Sequence, residues 1–176
     1  MTDEDKLYDL NFAVQRSIRY HQRRERFYDL WQSATDAVAL IFGSVVLAVL
    51  LQQWGEGWVI AAAALVTISS TISLVVGTGR KARLHREIAR RFQILELDMD
   101  EAEQSVEMLK KFNRIRREIE LDEPPLLVNL NRICHNEVMR ALGFKPDNPG
   151  YLPLSGPQRF FAHLFDIGAN KNEMQT

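Results

Sequence analysis

Two apolar stretches decide the fold of this chain: ATDAVALIFGSVVLAVLL at residues 34–51 and WVIAAAALVTISSTISLVVG at residues 58–77. They are 18 and 20 residues long, and a helix needs about 20 residues to cross about 30 Å of hydrocarbon. Between residues 34 and 77 only Asp36 and Glu56 are ionisable, although the chain of 176 residues has 22 basic and 23 acidic side chains. The composition therefore predicts two membrane spans within a highly charged protein.

A short loop joins the two stretches, which predicts an antiparallel transmembrane hairpin. The loop is QQWGEG, residues 52–57, and it has no basic residue, whereas arginines and lysines flank the hairpin on both sides. The positive-inside rule then places both termini in the cytoplasm and the loop outside. Amphipathic rings at headgroup depth are the expected interface anchors: Trp54 and Trp58 on the outer side, and Tyr28 and Trp31 on the inner side.

Composition and spacing argue against several other classes of protein. The net charge of -1 removes nucleic acid as a default partner. A single cysteine, Cys134, excludes an internal disulfide framework and a cysteine-rich zinc site. Its neighbour His135 points about 100° away on a helix, so the two cannot form a nucleophile and base pair directly. No phosphate loop or metal-ligand spacing is present, and we predict no enzyme, no cofactor and no metal site.

Helical periodicity outside the hairpin predicts an all-α protein with cytoplasmic helices. A helix over residues 1–33 should begin near residue 3 and continue into the first span. The segment 78–144 should form a helical bundle, in which a coiled-coil seam provides contacts between copies. Its apolar residues step by three and four positions: Leu95, Met99, Ala102, Val106 and Leu109.

Prolines and glycines divide the rest of the chain. Pro124 and Pro125 should lie at the start of a helix that Gly143 ends. Residues 145–176 read as a proline-rich linker and a C-terminal amphipathic segment. The apolar face of that segment either lies on the inner leaflet or docks on the bundle.

Polar residues in and around the spans allow two interpretations. The hydroxyls of the second span either satisfy backbone carbonyls at a close helix contact or line a pore. Asp36 either forms an interfacial salt bridge or lies at a pore mouth. Glu56 either contributes to a ring of charge in an oligomer or is solvated in the outer loop. The pore-lining candidates are Asp36, Thr67, Ser70, Thr71 and Ser73.

Residues 5–145 resemble the SLATT family of two-transmembrane effectors, which are associated with bacterial nucleotide-signalling and phage-defence systems. The resemblance rests on the hairpin layout and on PPLLVNLNRICHNEVMRALGF at residues 124–144, most specifically on the run from Cys134 to Glu137. It implies an effector that forms oligomers, perforates the bacterial inner membrane on a trigger and stops an infected cell. It brings no catalytic residues, and it implies that the trigger acts through the cytoplasmic bundle or through a separate sensor or nucleotide-signalling partner.

The sequence also fits two other functions. A passive membrane scaffold needs only the anchor and the coiled coil, and it requires nothing of Asp36 or the hydroxyls. The hairpin with an acidic outer loop also resembles the mitochondrial calcium uniporter, a cation channel. In this chain, however, Glu56 stands alone in WGEGW without the paired acids of the uniporter selectivity motif.

Overall fold

The computed structural model describes residues 2–52, 56–103 and 105–168. Within these ranges, the side chains of residues 45–52, 56, 58 and 59 are not described. The described residues form helices and connecting turns without a β-strand, which confirms the predicted all-α class. The helices are α1 (Asp3–Gln52), α2 (Glu56–Val76), α3 (Thr78–Glu101), α4 (Val106–Glu120), α5 (Val128–Ala141) and α6 (Gly156–Phe160).

The chain divides into two compact units. The first unit combines Met1–Arg24 with His85–Thr176, and the second unit is Glu25–Leu84. Helices α1 and α3 each contribute residues to both units.

The first unit is built around a core shared by α1, α3 and α4. Apolar residues at helical spacing on α1 pack against α3 and α4. Most of the core side chains are nearly inaccessible to solvent, as expected for a close-packed interior. The buried members are Leu10, Val14, Ile18, Ile88, Phe92, Leu95, Met99, Leu109, Phe112 and Ile119.

The predicted seam residues lie on two helices, α3 and α4, and not on one continuous helix. Helix α3 ends at Glu101, and α4 begins at Val106 after the N-cap Ser105, whose side chain accepts from the backbone N–H of Met108. The seam residues Leu95, Met99 and Leu109 are buried inside a single chain and Ala102 is partly buried, so none of them needs a second copy for its burial. Val106 is 50 % exposed. Association between copies through this seam stays a prediction.

Helix α5 begins later than predicted. The prolines at 124 and 125 precede it, and Leu127 is its N-cap, because the segment before Val128 is extended. Gly143 ends the helix as predicted, with a positive φ of 86° that favours glycine. The N–H groups of Gly143 and Phe144 donate to the carbonyls of Arg140 and Met139, which is the Schellman arrangement.

The C-terminal segment docks on the bundle. Ala162 is completely buried in a second cluster with Tyr20 of α1 and Leu130 and Cys134 of α5. Helix α6 is short and carries a capping box in which Ser155 and Gln158 satisfy each other's backbone N–H groups. The segment therefore belongs to the first unit by its packing.

The second unit contains the predicted hairpin residues. One helical stretch that starts at Ile60 is long and apolar enough to cross a membrane, in a search of the described residues alone, and only 11 % of its most apolar window is buried. A soluble core helix would be mostly buried. Helix α2 ends at Val76, and Gly77, with a φ of 66°, separates it from α3.

The predicted interface anchors have different outcomes. Trp54 lies outside the described residues. Glu56 and Trp58 lie within them, but the side chains of these two residues are not described. Tyr28 is buried, and the Lys81 Nζ lies 5.6 Å from the centre of its ring. The protein itself covers this side chain, and the depth of Tyr28 in the membrane stays a prediction. Trp31 is half-buried, with Phe27 edge-on at 5.8 Å.

Candidate functional site

A polar cavity of about 330 Å³ is the candidate functional site of the second unit. Its centre is the side chain of Gln32 on α1. The Gln32 Oε1 accepts hydrogen bonds from Ser73 Oγ at 3.1 Å and Thr78 Oγ1 at 2.5 Å. The two hydroxyls also lie 2.9 Å from each other, and both side chains are buried. Three helices, α1, α2 and α3, thus meet at one amide.

The cavity opens towards charged groups. The Gln32 Nε2 donates to Asp36 Oδ1 at 3.0 Å, one helical turn along α1. Arg80 lines the same cavity, and its guanidinium lies beside Gly77, where an added Cβ would meet it at 3.4 Å. Asp36 is exposed and takes a glutamine as its hydrogen-bond donor. The site thus contains an amide, two hydroxyls, a carboxylate and a guanidinium. Water or a small ion can enter it.

The structure separates the predicted pore-lining residues into two groups. Asp36, Ser70 and Ser73 all line the cavity. Thr67 and Thr71 are exposed on α2 and lie outside the lining of this cavity. Thr71 and Ser73 are two positions apart, so they point about 200° apart around the helix and cannot face the same narrow water path in one helix orientation.

The half-buried Ser69 Oγ donates to the backbone carbonyl of Val66 at 3.1 Å, the carbonyl three positions earlier. This bond satisfies the hydroxyl within its own helix, as the packing interpretation expects. The same interpretation fits Ser73, whose hydroxyl is satisfied by Gln32. The pore interpretation fits Thr67 and Thr71, whose exposed positions leave them accessible from outside the chain.

Sequence reasoning did not identify Gln32 or Thr78 as part of this site. Gln32 precedes Asp36 by four positions, so the two share a face of α1, and that spacing was the available signal. Thr78 follows the break at Gly77, and its approach to Gln32 depends on how the chain turns there. No sequence periodicity encodes that turn.

A second polar group lies inside the first unit and joins residues distant in sequence. Two of the four histidines contact each other. The Nδ1 atoms of His21 and His85 lie 2.8 Å apart, and the His21 Nε2 lies 3.0 Å from Glu123 Oε1. Both rings are buried, and the His21 ring stacks on Phe92 at 6.0 Å. The 64 positions between the two histidines left no local signal for their contact.

The run from Cys134 to Glu137 holds neighbouring elements together. The His135 Nε2 lies 2.9 Å from the carbonyl oxygen of Gly150. The Asn136 side chain donates to the carbonyl of Leu152 at 2.7 Å and accepts from its N–H at 2.9 Å. Glu137 forms an ion pair with Arg23 of α1. Each of these three residues thus connects another segment of the chain to α5 through a hydrogen bond or an ion pair.

The titration of these groups agrees with a structural role. Burial raises the pKa of the completely buried Cys134 thiol to about 12, so the reactive thiolate is disfavoured. Burial also lowers the pKa of His135, and it lowers the pKa of His163 to about 4 with help from Arg24 and Arg23. These shifts favour the neutral forms of all three groups. Among the described residues, no group of three or more His, Cys, Asp or Glu side chains could hold a metal ion.

Comparisons of this chain with protein-family models, with curated proteins and with solved structures find no match.

Proposed function

We propose that this chain is an oligomeric, pore-forming effector of the bacterial inner membrane. Residues 34–51 and 58–77 cross the membrane as a hairpin, and both termini lie in the cytoplasm. The observation that carries the proposal is the surface of α2, which is apolar, mostly exposed, and interrupted on one side by Thr67 and Thr71. An exposed apolar helix is stable in lipid, and its hydroxyls are what a water path between copies requires.

The proposal requires several copies, because two spans cannot enclose water. Thr67 and Thr71 line the path between neighbouring copies, where their hydroxyls replace part of an ion's hydration shell. Gln32 and Ser73 join α1 to α2 by a hydrogen bond, and Asp36 lies at the inner mouth, where its charge attracts cations. This division follows from the opposite directions in which Thr71 and Ser73 point.

The resemblance to the SLATT family supports the biological part of the proposal. A trigger of the defence type, delivered through the bundle or by a separate sensor or nucleotide-signalling partner, opens the pore. Depolarisation then stops growth or kills the cell.

The test is ionic current through planar bilayers that contain the purified chain. The variant Thr67→Val with Thr71→Val removes both hydroxyls at nearly constant volume, so it should lower the conductance while the oligomer still assembles. Ser69→Ala is the matched control, because its hydroxyl already donates to Val66 within the helix. It should leave the conductance unchanged.

Expression in bacteria provides the second readout. Wild-type chain should depolarise cells and slow their growth, and the double threonine variant should do so less at equal membrane levels. A wild type that passes no current in bilayers and leaves the membrane potential intact would contradict the pore.

The passive scaffold is the second candidate, and one observation favours it. The hydroxyls of Ser73 and Thr78 are satisfied within the chain by Gln32, so these buried polar groups need no water path. A scaffold predicts that removing the hydroxyls of Thr67 and Thr71 changes neither growth nor membrane potential.

A further inference from the structure

The C-terminal segment exposes large apolar side chains although it is docked on the bundle. Phe160 is 80 % exposed and Phe165 is 61 % exposed, and Leu164 and Ile167 are also exposed. We call these four residues the C-terminal apolar patch. Four large apolar side chains within eight positions are more than the isolated exposed residues of an ordinary surface.

The patch faces away from the bundle because the opposite side of the segment binds the bundle. Ala162 is completely buried, and Arg24 Nη1 donates to the carbonyl of His163 at 2.7 Å. At the start of α5, the backbone N–H of Asn129 donates to Asp166 Oδ1 at 3.0 Å, and the Asn129 Nδ2 donates to the carbonyl of Ile167 at 3.1 Å. These contacts fix which side of the segment faces away.

Local hydrogen bonds give the segment a defined shape. Ser155 and Gln158 form the capping box of α6, and the Gln158 Nε2 also donates to the carbonyl of Ile167 at 3.3 Å. The N–H groups of Leu164 and Phe165 donate to the carbonyl of Phe161. The aromatic rings are thus presented by a closed, hydrogen-bonded loop.

The charges of the segment favour an anionic surface. From residue 156 to 168 the only formal charges are Arg159 and Asp166, and Asp166 accepts the hydrogen bond from the N-terminal turn of α5. Arg159 is exposed next to Phe160. Exposed apolar side chains bind at a membrane interface, and a neighbouring arginine adds attraction to anionic lipids.

A lipid surface is also within reach of the patch. Arg24, which binds His163, precedes residue 34 by ten positions. Even a fully extended connection of that length spans only about 35 Å. The chain itself therefore keeps the patch close to the membrane that the hairpin enters, and this tether raises the effective concentration of lipid around it.

We infer that the C-terminal apolar patch rests on the anionic lipid surface of the membrane, with the Phe160 and Phe165 rings at headgroup depth. This inference rests on the proposed membrane insertion of the hairpin. It gives the segment two simultaneous contacts, one with the bundle through Ala162 and one with lipid through the patch.

The test places an environment-sensitive fluorophore, NBD, on single cysteines in a Cys134→Ser background. The chain is reconstituted into vesicles of phosphatidylethanolamine and phosphatidylglycerol that contain spin-labelled lipid as quencher. The reporter is Phe165→Cys, and Leu121→Cys is the matched control, because Leu121 is 84 % exposed in the same unit. Ile68→Cys on the exposed side of α2 reports insertion of the hairpin.

We expect blue-shifted emission and strong lipid quenching at positions 165 and 68, and several-fold weaker quenching at 121. Replacing phosphatidylglycerol by phosphatidylcholine, or Arg159 by Gln, should weaken the quenching at 165 and leave it unchanged at 68. Chain that retains Cys134 is the second background, because the buried native thiol should not take the label.

Each other outcome has a definite meaning. Quenching at 68 without quenching at 165 overturns the lipid contact of the patch and leaves the proposed pore intact. Blue-shifted but unquenched emission at 165 overturns it in favour of a protein contact. Absence of quenching at 68 overturns the membrane insertion on which both the pore and this inference depend.

Discussion

At the scale of single residues, burial decides the chemistry of the titratable side chains. Cys134 and His135 are adjacent in sequence and suggest a reactive pair, but one is a core thiol and the other is bound to the carbonyl of Gly150. Desolvation disfavours the charged form of each group. The pair therefore stabilises the contact between α5 and its neighbours instead of providing a nucleophile.

His163 should make stability depend on pH. Its pKa is about 4 in the folded chain against an ordinary value of 6.5, so the unfolded chain binds the proton more tightly. The contribution of this residue is complete above pH 6.5 and is lost as the pH falls towards 4. Solvent screens this partly exposed ring, so we expect a loss on the order of 1 kcal/mol.

Thermal melts of the detergent-solubilised chain between pH 7.5 and pH 4.5 measure this dependence. The variant His163→Gln should show a shallower fall in melting temperature across that range. Parallel curves for the variant and the wild type would show that His163 does not contribute to the dependence.

At the scale of the helices, the seam residues should differ in their effect on stability. Leu95 is buried in the core, so Leu95→Ala should lower the free energy of unfolding by about 2–5 kcal/mol. Val106 is half-exposed at the start of α4, so Val106→Ala should cost less than about 1 kcal/mol. Chemical denaturation of dilute chain measures both. Equal losses that grow with protein concentration would instead show that both residues pack between copies.

The pattern of apolar residues predicted the helices and their core better than it predicted where they end. Spacing by three and four predicted that Leu95, Met99 and Leu109 pack in a seam between copies, and all three are buried, although within a single chain. The same spacing continues across the break between α3 and α4, so periodicity alone could not reveal it. Ser105, a residue type that favours N-caps, was the only local signal of the new helix.

The candidate site was predictable in part. Asp36, Ser70 and Ser73 could be chosen from sequence because polar residues near an apolar span are few. Their separation from Thr67 and Thr71 depends on the rotation of α2 about its axis, which only packing determines. The burial of Asn129 depends on the docked C-terminal segment in the same way.

At the scale of the whole molecule, the arrangement of charged flanks predicts the topology. A cysteine at Gln53 in a Cys134→Ser background should react with impermeant thiol reagent added outside intact cells, because the positive-inside rule places the loop outside. A cysteine at the exposed Glu107 should react only after the cells are permeabilised. The reverse pattern would overturn the orientation, and labelling of both positions from outside would overturn the hairpin.

The contact between His21 and His85 has a consequence for where protons lie in the bundle. When the His21 Nε2–H donates to the Glu123 carboxylate, a neutral His21 ring has only a lone pair at Nδ1, so the proton between the two Nδ1 atoms belongs to His85. The donors then point in one direction, from His85 through His21 to Glu123, and each bond polarises the next. One carboxylate between α4 and α5 thus selects the tautomers of two rings on α1 and α3.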